Sequence, residues 1–381
     1  MAAYQRKNIR MDRATRLRVR TGRGKDVPFI IDLGQRNAEI VRGPSSMLRY
    51  ISWGDAVTPI GLGYDLVHSK NAVPLFARRS VITFEDYLPR VPPDRYIGRL
   101  EHWLQRRLLS RRIVALVAQS EFAVRQFKQQ NRAFPALPQL EQKLVVIYPT
   151  IEPRTDRPKF PSDRLRVLFV GRDFLRKGLP ALVRAHEKLR AMRIPIETTV
   201  ISSLDWVASD YIGPPASTVF EEETARLGRS GIVHHRSMPN SDVLQLMKSA
   251  DYLAFPTLHD TFGFVSIEAL ACATPVITTA TCAQPEIVED GANGYLLPFE
   301  NDEVVGKWIW IYRNSEPEYT EAYMSTIDRL GVALAERLAM CWEERGEYEA
   351  RSAAALERIR DRFNPESARI KLEELYEKCR I

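Results

Sequence analysis

Short apolar runs alternate with stretches whose apolar residues recur at three- and four-residue spacing, and the alternation starts twice along the chain. In the first half, Val27–Leu33, Asp65–His68, Ser80–Thr83, Ile113–Ala118 and Leu144–Ile147 read as strands. Ser120 stands where it would cap a helix opening Glu121-Phe-Ala-Val-Arg-Gln-Phe. Residues 149–163 carry Pro149, Pro153, Pro158 and Pro161 among charges. Proline stiffens a connection and cannot extend a sheet ladder, so a linker is expected there. The second half restarts the pattern, with strands over Leu165–Val170, Thr198–Ser202, Ile232–His235, Tyr252–Phe255 and Pro275–Thr279. Helices are expected over Leu179–Arg190, Val243–Ser249 and Val265–Cys272, in a helix-rich stretch over 302–360, and over Glu366–Arg380. Strands alternating with helices specify parallel sheets. The expected fold class is therefore α/β, as two Rossmann-like, doubly wound domains facing a central cleft. The expected divisions are a tail (1–26), an N-terminal domain (27–150), a linker (151–163), a second domain (164–362) and a C-terminal helix (363–381) placed to pack back on the first domain.

Charge sharpens this division. Residues 1–160 hold 29 Lys and Arg against 14 Asp and Glu, a net +15, whereas residues 161–381 hold 26 against 34, a net −8. The first half thus favours an anionic partner and the second does not. Residues 1–26 alone carry nine basic residues and two Asp, which reads as a loose basic terminus. Hydrophobic residues at 45% and charged residues at 27% exclude collagen-like, mucin-like and wholly disordered chains. The four cysteines, Cys272, Cys282, Cys341 and Cys379, have neither disulfide-scaffold nor metal-ligand spacing, so a reducing, cytoplasmic setting and no metal are expected. The basic N-terminus lacks the apolar core of a signal peptide, and there is no apolar run of about 18 residues. Any membrane role is expected to be peripheral.

Two constellations carry chemistry. Val170-Gly-Arg-Asp-Phe-Leu-Arg-Lys-Gly178 joins an expected strand to a helix. Gly171 permits a tight turn, and Arg172 and Lys177 bring two cations to the sheet's carboxyl edge, where they suit phosphate oxygens or form a solvated basic loop. In Pro256-Thr-Leu-His-Asp-Thr-Phe-Gly-Phe-Val-Ser-Ile-Glu-Ala-Leu270, Gly263 marks a turn. Asp260 then sits in the loop and Glu268 inside the following helix. The backbone N–H groups of Phe262, Gly263, Phe264 and Val265 lie at the helix start, which attracts anions. Glu268 either accepts hydroxyl hydrogen bonds or pairs locally. In the next segment, Glu286 of Gln284-Pro-Glu-Ile-Val is either a site residue or a helix-start acid, the second being favoured.

Order and spacing say more than any one motif. Gly171-Arg172…Lys177-Gly178, Asp260-x7-Glu268 around Phe262-Gly263, Ala271-Cys-Ala-Thr-Pro275-Val-Ile and Gly291-Ala-Asn-Gly294 resemble the donor domain of retaining GT-B glycosyltransferases. More narrowly, they resemble the glycosyl transferases group 1 family, which includes sucrose synthases and bacterial mannosyltransferases. The resemblance covers about residues 165–300, is weaker over 65–150 and is slight before residue 60. It implies a UDP-, GDP- or ADP-sugar donor, retention of anomeric configuration and no metal or cofactor requirement; the chain has no Asp-x-Asp. It further implies that Arg172 and Lys177 neutralise the leaving diphosphate, that Glu268 holds the ribose, and that Asp260 and the backbone of Phe262–Val265 contact sugar and phosphate. His68, Glu85 and Asp86 are the implied site residues of the N-terminal domain.

Three departures bear on this. Asp260 replaces the family's more usual Glu, and Glu85 stands where many relatives have His. The Gly-Gly loop after the first strand is absent, with Gly61 and Gly63 too near the next strand to replace it. The acceptor lobe looks reduced. The alternatives to an active hexosyltransferase are a binding or scaffold protein on the donor fold, and a related GT-B sugar-phosphate synthase or phosphorylase. The acceptor is unidentified: glycan, lipid-linked or anionic, with no nucleic acid expected. One segment bears on it. Arg95, Arg99, His102 and Arg106 recur on one face of an amphipathic helix, with Ile97, Leu100, Leu104 and Leu108 on another and Tyr96 and Trp103 beside them. That face is either a docking surface for an anionic membrane or an ordinary surface helix whose apolar stripe packs on the sheet.

Overall fold

A computed structural model describes residues 57–58, 66–90, 98–205 and 215–379. The basic tail of 1–26, the strand expected over Val27–Leu33, Gly61, Gly63 and residues Arg95–Ile97 lie outside the described residues.

The N-terminal domain contains β1 (Val57–Thr58), β2 (Val67–Lys70), β3 (Val73–Pro74), β4 (Ser80–Phe84), α1 (Gly98–Leu108), β5 (Ile113–Ala118), α2 (Glu121–Gln130), α3 (Leu137–Glu141) and β6 (Leu144–Val146). Strands β2, β4, β5 and β6 lie in that order in one parallel sheet, and β1 pairs β3. One face of the sheet packs Ile82, Phe84, Leu116 and Ala118 against Leu104 and Leu108 of α1 and Phe127 of α2. Ser120 caps α2 as its sequence position predicts, its Oγ accepting from Ala123 N–H at 3.0 Å.

The second domain contains β7 (Leu165–Val170), α4 (Leu179–Ala191), β8 (Ile196–Ile201), α5 (Ser217–Arg229), β9 (Val233–His235), α6 (Asn240–Ser249), β10 (Tyr252–Phe255), α7 (Phe264–Ala271), β11 (Val276–Thr279), α8 (Gln284–Ile287) and β12 (Gly294–Leu297). Helices α9 (Tyr319–Glu343), α10 (Tyr348–Arg362) and α11 (Pro365–Glu377) follow. The six strands are all parallel and run β12-β11-β10-β7-β8-β9. Numbered from β7, that is the doubly wound order 3-2-1-4-5-6 read from one edge, and the order reverses between β7 and β10. Apolar residues clothe both faces of this sheet, as a parallel sheet covered by helices requires.

The pattern of apolar positions placed most strands within two residues. It did not show α5, whose fully buried positions are few, or β12, which continues out of the Gly291–Gly294 turn. Helix α11 leaves the second domain and lays Leu372, Leu375 and Tyr376 on Val81, Val117 and Ile147 of the N-terminal sheet. All four cysteines are buried free thiols.

Candidate active site at the switch point of the second sheet

The loops that leave β7 and β10 meet where the strand order reverses, which is where open α/β sheets leave a ligand crevice. Their approach depends on Gly178, with φ of +77°: a Cβ there would lie 1.9 Å from the Pro256 carbonyl oxygen. The contact brings Lys177 onto the second loop. Its Nζ lies 2.6 Å from Asp260 Oδ2 and 3.4 Å from the His259 carbonyl, over the Phe255 ring. Gly171, at the end of β7, donates its N–H to Ile201 and leaves room for the Lys177 side chain to fold back. Burial lowers the Lys177 ammonium below its ordinary value, against the pull of Asp260.

Gly263, with φ of +92°, turns the chain into α7, and any Cβ there would strike Gln284 Nε2 at 1.9 Å. The Gln284 amide donates to the Phe262 carbonyl at 3.0 Å and accepts from Ser266 Oγ at 2.9 Å, so it fixes the helix start from α8. Phe262 itself is a core residue, its ring against Phe264 and Phe363, while Phe264 and Val265 are half-buried in the first turn of α7. Glu268 is also half-buried; burial pushes its carboxyl up, against the pull of Arg154.

Arg172 stands apart from the Lys177–Asp260 pair. Its side chain is 78% exposed and meets Asp205 at 3.4 Å. The second cation beside Lys177 is instead Arg176, which bonds Asp173 Oδ2 at 2.8 Å and the His259 carbonyl at 3.0 Å.

The three N-terminal candidates separate. His68 is not a cleft residue: Thr83 Oγ1 and Tyr376 Oη each lie 2.6 Å from one ring nitrogen, and burial lowers its pKa to about 4. It ties α11 to the sheet. Glu85 lies just past β4, bonded to Asn71 Nδ2 at 3.0 Å and paired with Lys70 at 3.3 Å. Asp86 faces the second domain, where Lys307 Nζ lies 3.0 Å from its Oδ1. Burial pushes the Asp86 carboxyl up, against the pull of Lys307. His234 bonds the Ser202 carbonyl at 2.7 Å and Arg236 the Ser203 carbonyl at 3.1 Å, which stitches the ends of β8 and β9 together. Among the described residues, no three His, Cys, Asp or Glu gather as a metal-binding group would.

Residues 152–323 match the family model described as glycosyl transferases group 1. That stretch is therefore similar to the group 1 glycosyltransferases. Its curated relatives include the D-inositol 3-phosphate glycosyltransferase of Arthrobacter sp. (strain FB24), 27% identical over 157 residues, which are 40% of this chain and 36% of that protein. The enzyme of the same description from Mycobacterium tuberculosis (strain ATCC 25177 / H37Ra) is 31% identical over 148 residues, 39% of this chain and 28% of that protein. The chain thus matches well under half the length of these relatives. Among solved structures, Anabaena HepE in complex with UDP and glucose superposes with a TM-score of 0.52 at 16% identity, over 90% of this chain and 86% of that one. Sucrose-phosphate synthase from Thermosynechococcus elongatus gives 0.56 at 18% identity, over 83% of this chain and 74% of that one. The fold is GT-B.

The second domain also reaches across the cleft with residues that sequence reasoning did not assign. Besides Asp86, Lys307 lies 3.3 Å from Tyr87 Oη and against the rings of Tyr87, Phe122 and Tyr312. Burial works against its charge, but Asp86, Tyr87 and Cys282 together outweigh it and the ammonium sits above its ordinary value. Glu286 begins α8, yet its carboxylate accepts from the backbone N–H of Glu121 at 2.7 Å and Phe122 at 2.6 Å, and from Tyr148 Oη at 3.0 Å. It therefore covers the positive end of an N-terminal-domain helix. A lone lysine 221 residues from its aspartate leaves no local trace; Glu286 was visible, but its partners were not.

Proposed function

We propose that the protein is a retaining glycosyltransferase that moves a sugar from a nucleotide diphosphate sugar to an acceptor hydroxyl. The observation that carries this reading is the buried Lys177 ammonium held 2.6 Å from Asp260 at the switch-point crevice, beside the start of α7. As the glycosidic bond breaks, negative charge grows on the diphosphate and the sugar becomes oxocarbenium-like. A preformed cation acts most strongly on such developing charge because it needs no reorganisation when the bond breaks. Lys177 neutralises the leaving diphosphate. Arg172, exposed on the same loop, swings from Asp205 to reach it when the donor enters. Asp260 and the backbone of Phe262–Val265 contact the sugar and phosphate, and Glu268 takes the ribose hydroxyls. The chemistry uses no metal. The HepE complex contains UDP and glucose, so a uridine sugar is the first donor to test, followed by GDP- and ADP-sugars.

The exposed side of α1 carries a second element of the proposal. Leu104 and Leu108 are buried against the N-terminal sheet, which accounts for the apolar stripe. Arg99, His102, Trp103 and Arg106 all remain exposed. This basic face with one indole suits an anionic membrane surface, where the acceptor would be met. No described helix is long and apolar enough to cross a membrane.

A thermal-shift panel with UDP-, GDP- and ADP-glucose, followed by assay of nucleoside diphosphate release, tests the function. One nucleotide class that raises the melting temperature and is released supports a transferase. Tight binding without release under any acceptor mixture favours the scaffold alternative, and no binding refutes both.

A further inference from the structure

Two buried side chains beside the Lys177–Asp260 pair have no part in the chemistry above. His259, in the loop after β10, and Cys282, between β11 and α8, meet with Nδ1 3.1 Å from Sγ. Burial pushes the Cys282 thiol up to about 12. Burial, reinforced by Lys307, Arg176 and Lys177, holds the His259 imidazole well below its ordinary value. Both groups are therefore neutral near pH 7, and the thiol is not a nucleophile there. The sulfur also meets the backbone N–H of Asp260. That N–H and the His259 carbonyl are the two ends of one planar peptide group. The carbonyl end accepts from Lys177 Nζ at 3.4 Å and Arg176 Nη1 at 3.0 Å. One peptide thus carries both cations at one end and leans on Cys282 at the other. Cys282 is itself strained, with φ of +52°, a left-handed conformation that glycine takes without steric cost and other residues do not. Its N–H is tied to the Gly306 carbonyl at 2.8 Å, to which Thr281 Oγ1 also donates at 3.3 Å. Such strain persists only where the surroundings over-determine it.

We propose that His259 and Cys282 are positioning residues, which aim Lys177 and Asp260 at the donor by fixing the peptide between His259 and Asp260. The proposal rests on the glycosyltransferase reading above. Neither side chain touches the donor. With both groups neutral, the thiol donates to Nδ1 and accepts from the Asp260 N–H at once, which ties ring and peptide to the same atom. A peptide group turns as a unit. Releasing its N–H end therefore swings the carbonyl away from Lys177 and carries the start of Asp260 with it. The ammonium keeps its charge but loses one of the two oxygens that fix it, Asp260 Oδ2 and the His259 carbonyl, while the other moves. Such a movement costs rate more than affinity, since a misplacement of about 1 Å can slow a reaction about 100-fold.

Cys282→Ala and Cys282→Ser carry the same backbone strain and differ only in the hydrogen-bonding atom, whereas His259→Phe keeps a ring without Nδ1. These variants and the Cys282→Ala/His259→Phe double variant are compared with wild type in three measurements. They are melting temperature, UDP affinity by calorimetry, and kcat for release of UDP from saturating UDP-glucose, with GDP or ADP compounds substituted where the wild type prefers them. Should Cys282→Ala melt too low to assay, Cys282→Gly, which has no such strain, takes its place. Cys282→Ala and His259→Phe should each lower kcat at least about tenfold with UDP affinity held within about threefold. Cys282→Ser should return kcat to within about threefold of wild type, and the double variant should be no slower than the slower single one, because both residues act through one bond. A kcat near the wild-type value in both single variants overturns the proposal whatever the melting temperature does, since the pair would then serve the fold alone. A serine variant as slow as the alanine one overturns it, and so do losses that simply add in the double variant. A wild type that binds no UDP-, GDP- or ADP-sugar, or binds one and never releases the nucleotide, is a different result: it removes the glycosyltransferase reading and this proposal with it.

Discussion

Replacing Lys177 by methionine keeps the length of the side chain and its packing on Phe255 but deletes the charge. Two losses follow, and the structure sizes them separately. The ground-state loss is one charge-assisted hydrogen bond of 2.6 Å to Asp260, a class worth about 1.5–3 kcal/mol. Asp260 is 22% exposed, so water partly replaces the missing ammonium and the cost to the fold falls near the lower end of that range. The transition-state loss is larger, because the donor's diphosphate gains charge only as its bond to the sugar breaks. Removing one preorganised donor from such a site lowers kcat by about 100- to 1000-fold. The expected outcome is therefore a kcat reduced by about that factor, with a donor KM raised less than about tenfold and a cooperative melt. Release of nucleoside diphosphate at saturating donor, with circular dichroism melting on the same preparations, measures all three. A variant that melts normally and turns over within threefold of wild type refutes the role assigned to Lys177.

Glu268→Ala should weaken binding of the free nucleoside diphosphate by at least about tenfold, as loss of a charged hydrogen bond requires, whereas Glu289→Ala should not. Glu289 is 64% exposed and pairs with Arg358 at 3.5 Å; equal losses by calorimetry would count against the ribose contact. His68 gives a pH dependence of stability. Its pKa is about 4 in the fold against 6.5 ordinarily, so between those values the unfolded chain binds a proton that the folded chain refuses. Stability therefore falls as pH falls through that window, by about 3 kcal/mol in all. Melting between pH 7.5 and 5 should drop further for wild type than for His68→Gln, and parallel curves would refute it. Liposome sedimentation should show wild type bound to anionic but not neutral vesicles at low salt, and an Arg99→Ser/Trp103→Ser/Arg106→Ser variant released; binding indifferent to lipid charge would end the membrane assignment.

What the sequence determined by itself was everything that depends on neighbours along the chain. Strands Ile113–Ala118 and Leu165–Val170 were legible because a short apolar run between turns has few other uses, and Ser120 because an N-cap acts within three residues. The Gly171…Gly178 and Asp260…Gly263 loops were legible because each must leave a strand and enter a helix within a few residues. The likeness of residues 152–323 to group 1 glycosyltransferases was readable from the order of those pieces. What only the tertiary structure decided were the pairings across the cleft and the sheet edge. Arg172 and Lys177 belong to one loop, yet the fold buries one on Asp260 and leaves the other beside Asp205. His68 carries no sign that a helix 308 residues away supplies its hydrogen bond. Asp86 meets Lys307 and Glu286 covers the start of α2, because two domains close on each other. Electrostatics and hydrogen bonding act through space, over distances that the spacing of residues along a chain does not encode.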